Sequence, residues 1–294
     1  MKTLLTSVLL ALLILTGCSK SDDPAPLPKI KSVSSYMYNY DIEGNLIENR
    51  RLAWSQEVYD VEGVLLKKQY RKAHYLTDHE NPLFTENNTY ENGLLIKKEI
   101  LRSDYPTHNT YNKYLYVNGT LNGYDYYSIS GGTHYLLKKY RYEYITGNNP
   151  SKMLINDYPF DEAPAIYEYA YDSHGNKIRE HISGNSAIKG TYEWEFDAYN
   201  NQTKEIFTRS WGTYSTSTIS TYKYDATNKI AEKLTHYSTD FGNYIYDYGS
   251  YKYIYEYDKN GLLKTVNIFY LNKDVTNGEF RLDAELRYEY EFNK

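Results

Sequence analysis

One stretch of the chain, YIYEYDKNGLLK at positions 253–264, limits most strongly what the sequence can fold into. Its three tyrosines alternate with other residues, which places their rings on one face of a β-strand. Asp258 stands where a type I turn favours a side chain that bonds the backbone ahead of it. Gly261 stands where the chain needs a positive φ to enter the next strand. The stretch therefore predicts a β-hairpin, with Glu256 and Lys264 as cross-strand neighbours on one face.

Copies of this hairpin recur along the chain. Six of them have an aromatic residue followed by Asp-x-x-Gly or Asp-x-x-Asn, and their turn residues are Asp41 with Gly44, Asp60 with Gly63, Asp172 with Gly175, Asp197 with Asn200, Asp225 with Asn228, and Asp258 with Gly261. The last position is always Gly or Asn, the residues that adopt a left-handed conformation at least cost. Shorter Asn-Gly turns end at Gly93 and Gly119, and a longer turn spans 144–149. The Asn-Gly pairs favour type I′ turns. Together the copies predict an array of about nine hairpins.

The strands beside these turns keep the alternation of aromatic and charged residues. Rings occupy one set of positions and charged residues the other, which is typical of an antiparallel sheet with one face in water. We expect most rings to form the core of a twisted, curved, all-β sheet that is open, rolled or barrel-like. The aromatic sets are Tyr36, Tyr38 and Tyr40; Tyr140, Tyr142 and Tyr144; Tyr167, Tyr169 and Tyr171; Tyr192, Trp194 and Phe196; Tyr222 and Tyr224; Tyr288, Tyr290 and Phe292.

The Tyr-x-Tyr-Asp-x-x-Gly-x-Leu hairpins resemble the YD repeats of RHS-type proteins, and the resemblance covers nearly all of positions 36–292. In that family the repeats form a long β-sheet that, in the large members, spirals into a shell around a toxic cargo. This chain is too short for such a shell and has no Asp-Pro-x-Gly cleavage signature. The resemblance therefore implies a YD-repeat-like sheet, without encapsulation or self-cleavage.

The N-terminus carries a different signal. Lys2 precedes an apolar run at positions 4–15, which is shorter than the roughly 20 residues of a membrane-spanning helix and favours a signal peptide at 1–17. The sequence that ends at Cys18, Leu-Thr-Gly-Cys, resembles the lipobox of bacterial lipoproteins, which implies cleavage before Cys18 and acylation of its thiol. The alternative is an ordinary signal peptide with an incidental cysteine. Because Cys18 is the only cysteine, no intramolecular disulfide can form.

Positions 18–29 read as a lipidated cysteine and a flexible tether, and 30–294 as one domain. The acidic run Ser21-Asp22-Asp23 resembles the export signal of some surface lipoproteins, although any flexible linker is rich in such residues. We therefore expect a lipid-anchored protein of the bacterial outer membrane, exposed at the cell surface.

Few sequence features indicate chemistry. The net charge is −5 and no basic stripe is present, which argues against nucleic acid as a partner. The seven histidines are scattered, and the densest group, around His74 and His79, is interpreted as a solvated loop. We expect no catalytic residue, metal or cofactor. The repeated turn aspartates are interpreted as structural, because a catalytic carboxylate is a single tuned residue with a partner.

Three less regular stretches, 124–135, 211–214 and 241–248, mix aromatic residues with Gly, Ser and Thr, a composition typical of binding loops. Trp211, Tyr214, Tyr244 and Tyr246 are the candidate ligand-binding residues. The sequence thus favours a non-enzymatic, lipid-anchored envelope protein with a binding or structural role and a glycan or protein ligand. A periplasm-facing assembly factor and a glycan-active enzyme remain as alternatives.

Overall fold

The computed structural model describes residues 29–41, 45–46, 52–71, 83–103, 108–144, 149–160, 162–186, 189–211, 214–242, 244–271 and 279–293, with the backbone alone at 52–54, 71, 108 and 211. The predicted signal peptide, Cys18, most of the tether, Gly44 and the histidine group near His74 lie outside these residues. No helix in the described part has the length and apolar composition of a membrane span.

The described secondary structure consists of eighteen β-strands, β1 to β18. In chain order they are Ile30–Asn39, Leu52–Tyr59, Leu65–Arg71, Leu83–Glu91, Leu94–Arg102, His108–Val117, Thr120–Ser130, Thr133–Glu143, Lys152–Asp157, Ala165–Tyr171, Lys177–Gly184, Lys189–Phe196, Gln202–Trp211, Tyr214–Tyr224, Ile230–Asp240, Ile245–Tyr257, Leu263–Leu271 and Arg281–Phe292.

Every strand pairs antiparallel with the strand before it and the strand after it, and β1 pairs with both β2 and β18. Val33 of β1 lies opposite Tyr290 of β18, and Met37 lies opposite Leu286. None of the eighteen described strands is a free edge, so the sheet closes into an up-and-down β-barrel. The predicted all-β fold of antiparallel hairpins is confirmed, and the barrel-like alternative is the one that forms.

The predicted turns have the expected chemistry. At Asp258 the backbone N–H donates to the Leu262 carbonyl at 2.8 Å, and the carboxylate accepts the N–H groups of Asn260 and Leu262 at 2.8 and 2.9 Å. Gly261 closes the turn with φ +79°. The same carboxylate bonds recur at the turns of Asp60, Asp172, Asp197 and Asp225. At Asn92-Gly93 and Asn118-Gly119 both φ angles are positive, as a type I′ turn requires.

The barrel has two different ends. The end that holds Lys29 and Asn293, joined by a backbone hydrogen bond of 2.9 Å, is called here the proximal rim, and the opposite end the distal rim. The turns that follow the even-numbered strands β2 to β16 lie at the proximal rim, which therefore carries every described copy of the repeated turn except one. That exception is the Asp41 turn, which follows β1 and lies at the distal rim.

A repeated side-chain bond joins neighbouring hairpins near the proximal rim. The last tyrosine before a turn donates its hydroxyl to a backbone carbonyl at the start of the preceding hairpin's second strand, as from Tyr224 to Gln202 at 2.9 Å and from Tyr257 to Ile230 at 2.9 Å. Tyr90, Tyr116, Tyr144, Tyr171 and Tyr290 make the equivalent bond. Each neutral bond of this kind contributes on the order of 1 kcal/mol.

The residues after the left-handed position add a second link between turns. Asn201 donates to the side-chain oxygen of Asn228 at 2.7 Å, and Lys229 donates to the Gly261 carbonyl at 3.1 Å. The repeated motif therefore has two functions: it reverses the chain, and it holds successive hairpins side by side.

The sheet is the only layer in the described part, so large side chains are buried on its concave face, the inner wall. The buried cluster of Met37, Tyr255, Val266, Ala284 and Leu286 lies there, with Leu263, on the strands that close the barrel. Most predicted rings of β8, β10, β12, β14, β16 and β18 share this wall. The prediction that these rings share one face is confirmed. Tyr255 is buried there, and most of the others are half-buried.

The rings of β1 face the other way. Met37 lies on the inner wall, so its neighbours Tyr36 and Tyr38 must lie on the outer wall. The Arg287 guanidinium covers the Tyr38 ring at 4.3 Å, and the Tyr40 hydroxyl donates to Glu285 at 3.0 Å. The prediction that Tyr36, Tyr38 and Tyr40 share one face with the other rings is therefore wrong. The pairing of β1 with β18, which closes the barrel, fixes which of its residues face inward.

A β-bulge corrects a second expectation. Tyr257 lies opposite Leu263 and Glu256 opposite Thr265, which leaves Lys264 as the extra residue of the bulge. The Thr265 hydroxyl, and not Lys264, is the cross-strand neighbour of Glu256, to which it donates a hydrogen bond of 2.8 Å.

Candidate functional site

The inner wall combines rings with paired charges. Glu57, 3% exposed, accepts a hydrogen bond from Tyr59 at 2.6 Å, and its carboxylate lies 2.9 Å from the Lys68 ammonium. On the next hairpin, Glu86 and Lys98 are 2.6 Å apart. Burial, together with Glu57, raises the pKa of Tyr59, so this phenol keeps its proton and acts as a donor.

A second inner group lies on β13 to β15. The Tyr222 hydroxyl donates to Glu205 at 3.0 Å, and the Lys233 ammonium lies 5.1 Å from the centre of the Tyr222 ring. Burial lowers the pKa of Lys233, and the Glu205 carboxylate partly offsets that shift. The described partners of Glu57, Glu86 and Glu205 are ammonium and hydroxyl groups.

The turn aspartates are bound to their own turns. The side chain of Asn176 is the largest cause of the lowered pKa of Asp172, and the backbone N–H of Asn201 is the largest cause for Asp197. The backbone N–H of Lys229 acts in the same way on Asp225. These shifts come from hydrogen bonds that the carboxylate accepts within the turn. Among the described residues, no group of three or more His, Cys, Asp and Glu side chains could hold a metal ion.

Five aromatic residues lie together at the distal rim, whereas the proximal rim carries the exposed Tyr199 in the Asp197 turn. Tyr214 stacks on Phe241 with ring centres 5.8 Å apart, and Phe241 stacks on Tyr244 at 4.9 Å. Tyr246 and Tyr248 meet edge to face at 4.7 Å. We call these five residues the distal aromatic cluster. Its most exposed ring belongs to Tyr244, with 57% of the residue surface accessible.

The tip of the β15–β16 hairpin projects because of a bulge. Tyr237 lies opposite Gly249 but Ser238 lies opposite Asp247, so Tyr248 is an extra residue. Beyond this point, alternation no longer buries one face: Ile245, Tyr246 and Tyr248 are 70%, 48% and 47% exposed. Bulges of this kind redirect side chains at the rims of barrels.

Local hydrogen bonds fix the shape of this tip. Asp240 accepts the backbone N–H of Gly242 at 2.7 Å, and Phe241 donates its N–H to the Tyr244 carbonyl at 3.0 Å. Asp247 accepts the N–H of Gly249 at 2.7 Å, and Tyr270 donates to the Tyr248 carbonyl at 3.1 Å. The rings therefore sit on a braced turn.

The candidate binding residues from the sequence come together in part. Tyr214, Tyr244 and Tyr246 lie at one rim and are exposed. The backbone of Trp211 lies opposite Tyr214, and its side chain falls outside the described residues. In the stretch 124–135, Tyr135 is 50% exposed, whereas Tyr124 stacks on Tyr140 at 4.1 Å on the inner wall.

A further pair of rings, Tyr158 and Phe160, was not predicted. Tyr158, 70% exposed, meets Phe160 edge to face at 5.7 Å in the β9–β10 turn, and the Lys139 ammonium lies 4.5 Å from the Phe160 ring centre. This turn also belongs to the distal rim. The sequence signal that could have identified this pair is the proline flanked by two aromatic residues between β9 and β10.

No model of a protein family and no curated protein matches the sequence. Among solved structures, the chain is similar to a porin-like protein from Bacteroides uniformis ATCC 8492, with 7% identity over 89% of this chain and 96% of that chain and a TM-score of 0.43. A porin-like protein from Bacteroides vulgatus ATCC 8482 has 11% identity over 90% of this chain and 99% of that chain, with a TM-score of 0.39. The TcdB2-TccC3-TEV structure has 12% identity over 87% of this chain and 13% of that chain, with a TM-score of 0.41. At these identities and TM-scores the likenesses carry no argument about family or function.

Proposed function

We propose that this protein is a lipid-anchored, non-enzymatic protein of the bacterial outer membrane, whose barrel stands in water and binds a ligand at the distal aromatic cluster. The observation that carries the proposal is the opposition of two features. Lys29, where the predicted tether enters the barrel, lies at the proximal rim, whereas the distal aromatic cluster lies at the opposite rim.

The outer wall supports a barrel in water. Membrane barrels present an apolar band about 25 Å tall to the lipid, and an outward Arg or Lys at the bilayer centre costs about 2–4 kcal/mol. Here exposed charges occupy outer positions on many strands. They include Lys113, Glu143, Glu168, Arg179, Glu193, Glu195, Lys223, Glu256, Arg287, Glu289 and Glu291. A wall of this composition is typical of a hydrated surface.

The dimensions suit a binding site held away from the membrane. Strand β14 has 11 residues, so its two ends lie about 33 Å apart along the strand. A lipid on Cys18 would hold the proximal rim near the bilayer and leave the distal aromatic cluster facing outward. Exposed rings of tyrosine, with an apolar face and a polar tip, are common at binding surfaces.

The relation to YD repeats is part of this proposal. Its support is the turn chemistry, in which one carboxylate accepts two backbone N–H groups and a left-handed Gly or Asn closes the turn. We propose that the array is a short YD-repeat-like sheet closed on itself.

Labelling of a single introduced cysteine tests the outward orientation. In Tyr244→Cys, the new thiol is the only free one if Cys18 is acylated, so a membrane-impermeant maleimide should label intact cells as completely as lysed cells. Tyr199→Cys, at the most exposed tyrosine of the proximal rim (82%), is the matched control for reactivity.

A thiol at position 244 that reacts only after the outer membrane is broken would contradict surface exposure. It would favour a periplasm-facing assembly factor. A periplasmic protein with an introduced cysteine serves as the control for cell integrity in both experiments.

A further inference from the structure

We infer that the ligand of the distal aromatic cluster is an uncharged carbohydrate chain, an inference that rests on the proposed function. Three observations carry it: the exposure of the rings, the charge of the two hairpin tips, and their hydroxyl-rich composition.

The rings divide into one contact residue and its support. Phe241 stacks on both Tyr214 and Tyr244 and is the least exposed of the three, at 37%. Tyr244, at the end of the stack, keeps an open face and is 57% exposed. An open tyrosine face backed by a second ring can stack against the C–H face of a sugar, and the phenol can bond a sugar hydroxyl.

The charge at the tips disfavours anionic ligands. The segments 210–218 and 236–250 contain no Lys or Arg and carry two acidic residues, Asp240 and Asp247. Anionic polysaccharides and nucleic acids need cations to neutralise them, and a carboxylate beside the rings opposes their approach. Carboxylates are good acceptors for the hydroxyls of a neutral sugar.

The remaining side chains also suit a sugar better than a protein. Across 214–218 and at Ser238 the barrel rim is lined with Tyr, Ser and Thr, and Ile245 is the exposed aliphatic side chain of the β15–β16 tip. Protein interfaces of ordinary size bury about 800 Å² on each partner and are enriched in Met and Arg as well as aromatic residues. Two narrow hairpin tips with rings and hydroxyls offer stacking and hydrogen bonds over a small area.

Affinity electrophoresis tests the inference. The full-length lipidated protein in detergent is run through gels with uncharged polysaccharides of several linkages, namely dextran, mannan, galactomannan, xylan and mixed-linkage glucan, and with the anionic polygalacturonate and heparin. At least one uncharged polymer should retard the protein. Tyr244→Ala should weaken that binding about tenfold, whereas Tyr199→Ala should leave it unchanged. Far-UV circular dichroism and the melting temperature check that both variants fold alike.

The other outcomes contradict the inference. It is overturned if only anionic polymers retard the protein, if no polymer does, or if Tyr244→Ala binds as well as the parent protein. The labelling of Tyr244→Cys separates this failure from that of the proposed function. If the Tyr244→Cys thiol reacts with maleimide on intact cells but the protein binds no polysaccharide, the proposed function stands with a protein as the ligand. If this thiol does not react on intact cells, the proposed function itself is contradicted.

Discussion

Replacing Lys68 with Met should lower the free energy of unfolding by about 3 kcal/mol. The side chain of Lys68 faces Glu57 across the hairpin at 2.9 Å, and the Glu57 side chain is 4% exposed. Without the ammonium, the Glu57 carboxylate stays buried with the Tyr59 hydroxyl as its remaining described donor. A buried charge that loses its partner is among the few single changes that cost several kcal/mol. Urea unfolding followed by tyrosine fluorescence measures the loss.

Lys204→Met is the matched control. Its ammonium pairs with Glu195 at 3.0 Å, but both side chains are more exposed, at 34% and 60%, and such pairs contribute about 0–1 kcal/mol. In the double variant Glu57→Leu/Lys68→Met no unpaired charge remains, so part of the lost stability should return. Equal losses for Lys68→Met and Lys204→Met would show that the Glu57 pair does not lie inside the barrel.

Replacing Gly123 with Ala should destabilise the protein by at least about 3 kcal/mol. Gly123 has φ +147°, a conformation that residues with a side chain rarely adopt. Its added Cβ would collide with the backbone carbonyl of Tyr140 and lie 3.1 Å from the Cα of Arg141 on the neighbouring strand. Neither atom can move without opening the β7–β8 pairing. Thermal unfolding of the purified variant measures the effect.

Gly119→Ala separates strain from collision. Gly119 has φ +79° at the turn before β7, and an added Cβ would meet nothing within 4 Å. The cost there is the left-handed conformation alone, about 1–2 kcal/mol. If the two variants melt at the same temperature, the close approach of β7 and β8 at Gly123 is contradicted.

The sequence predicts the hairpins because their determinants are local. At Asp172 the acceptor carboxylate and its two donors span five residues, and Gly175 supplies the positive φ within the same turn. Because these hydrogen bonds join residues of the same turn, they recur wherever the turn motif recurs in the sequence. The number of hairpins and the antiparallel sheet follow from it.

The closure of the barrel, and the choice of which side chains point inward, depend on residues that are far apart in the sequence. Met37 meets Leu286 across nearly the whole chain, and no local pattern states that the first and last strands pair. Once they pair, the inward position of Met37 sends Tyr38 outward, against the aromatic alternation. The bulge at Lys264 likewise shifts the register after a turn that the sequence describes correctly.

The candidate site likewise depends partly on local sequence and partly on contacts between distant strands. A loop-like composition identifies the segment that holds Tyr244, since Gly and Asn interrupt the strand pattern there. The stack of Tyr214 on Phe241 joins two hairpins and depends on the pairing of β14 with β15, which places Ser215 opposite Asp240. Composition therefore locates the exposed segment, and the barrel decides which rings meet.

We propose that the lipid on Cys18, and not the barrel wall, holds the protein at the membrane. Detergent phase separation of the Cys18→Ser variant tests this proposal. The parent protein should enter the detergent phase, and Cys18→Ser, expressed without its signal peptide so that processing plays no part, should enter the aqueous phase because charged residues cover the outer wall. A Cys18→Ser protein that remained in the detergent phase while folded would contradict anchoring by the lipid and indicate a barrel embedded in the bilayer.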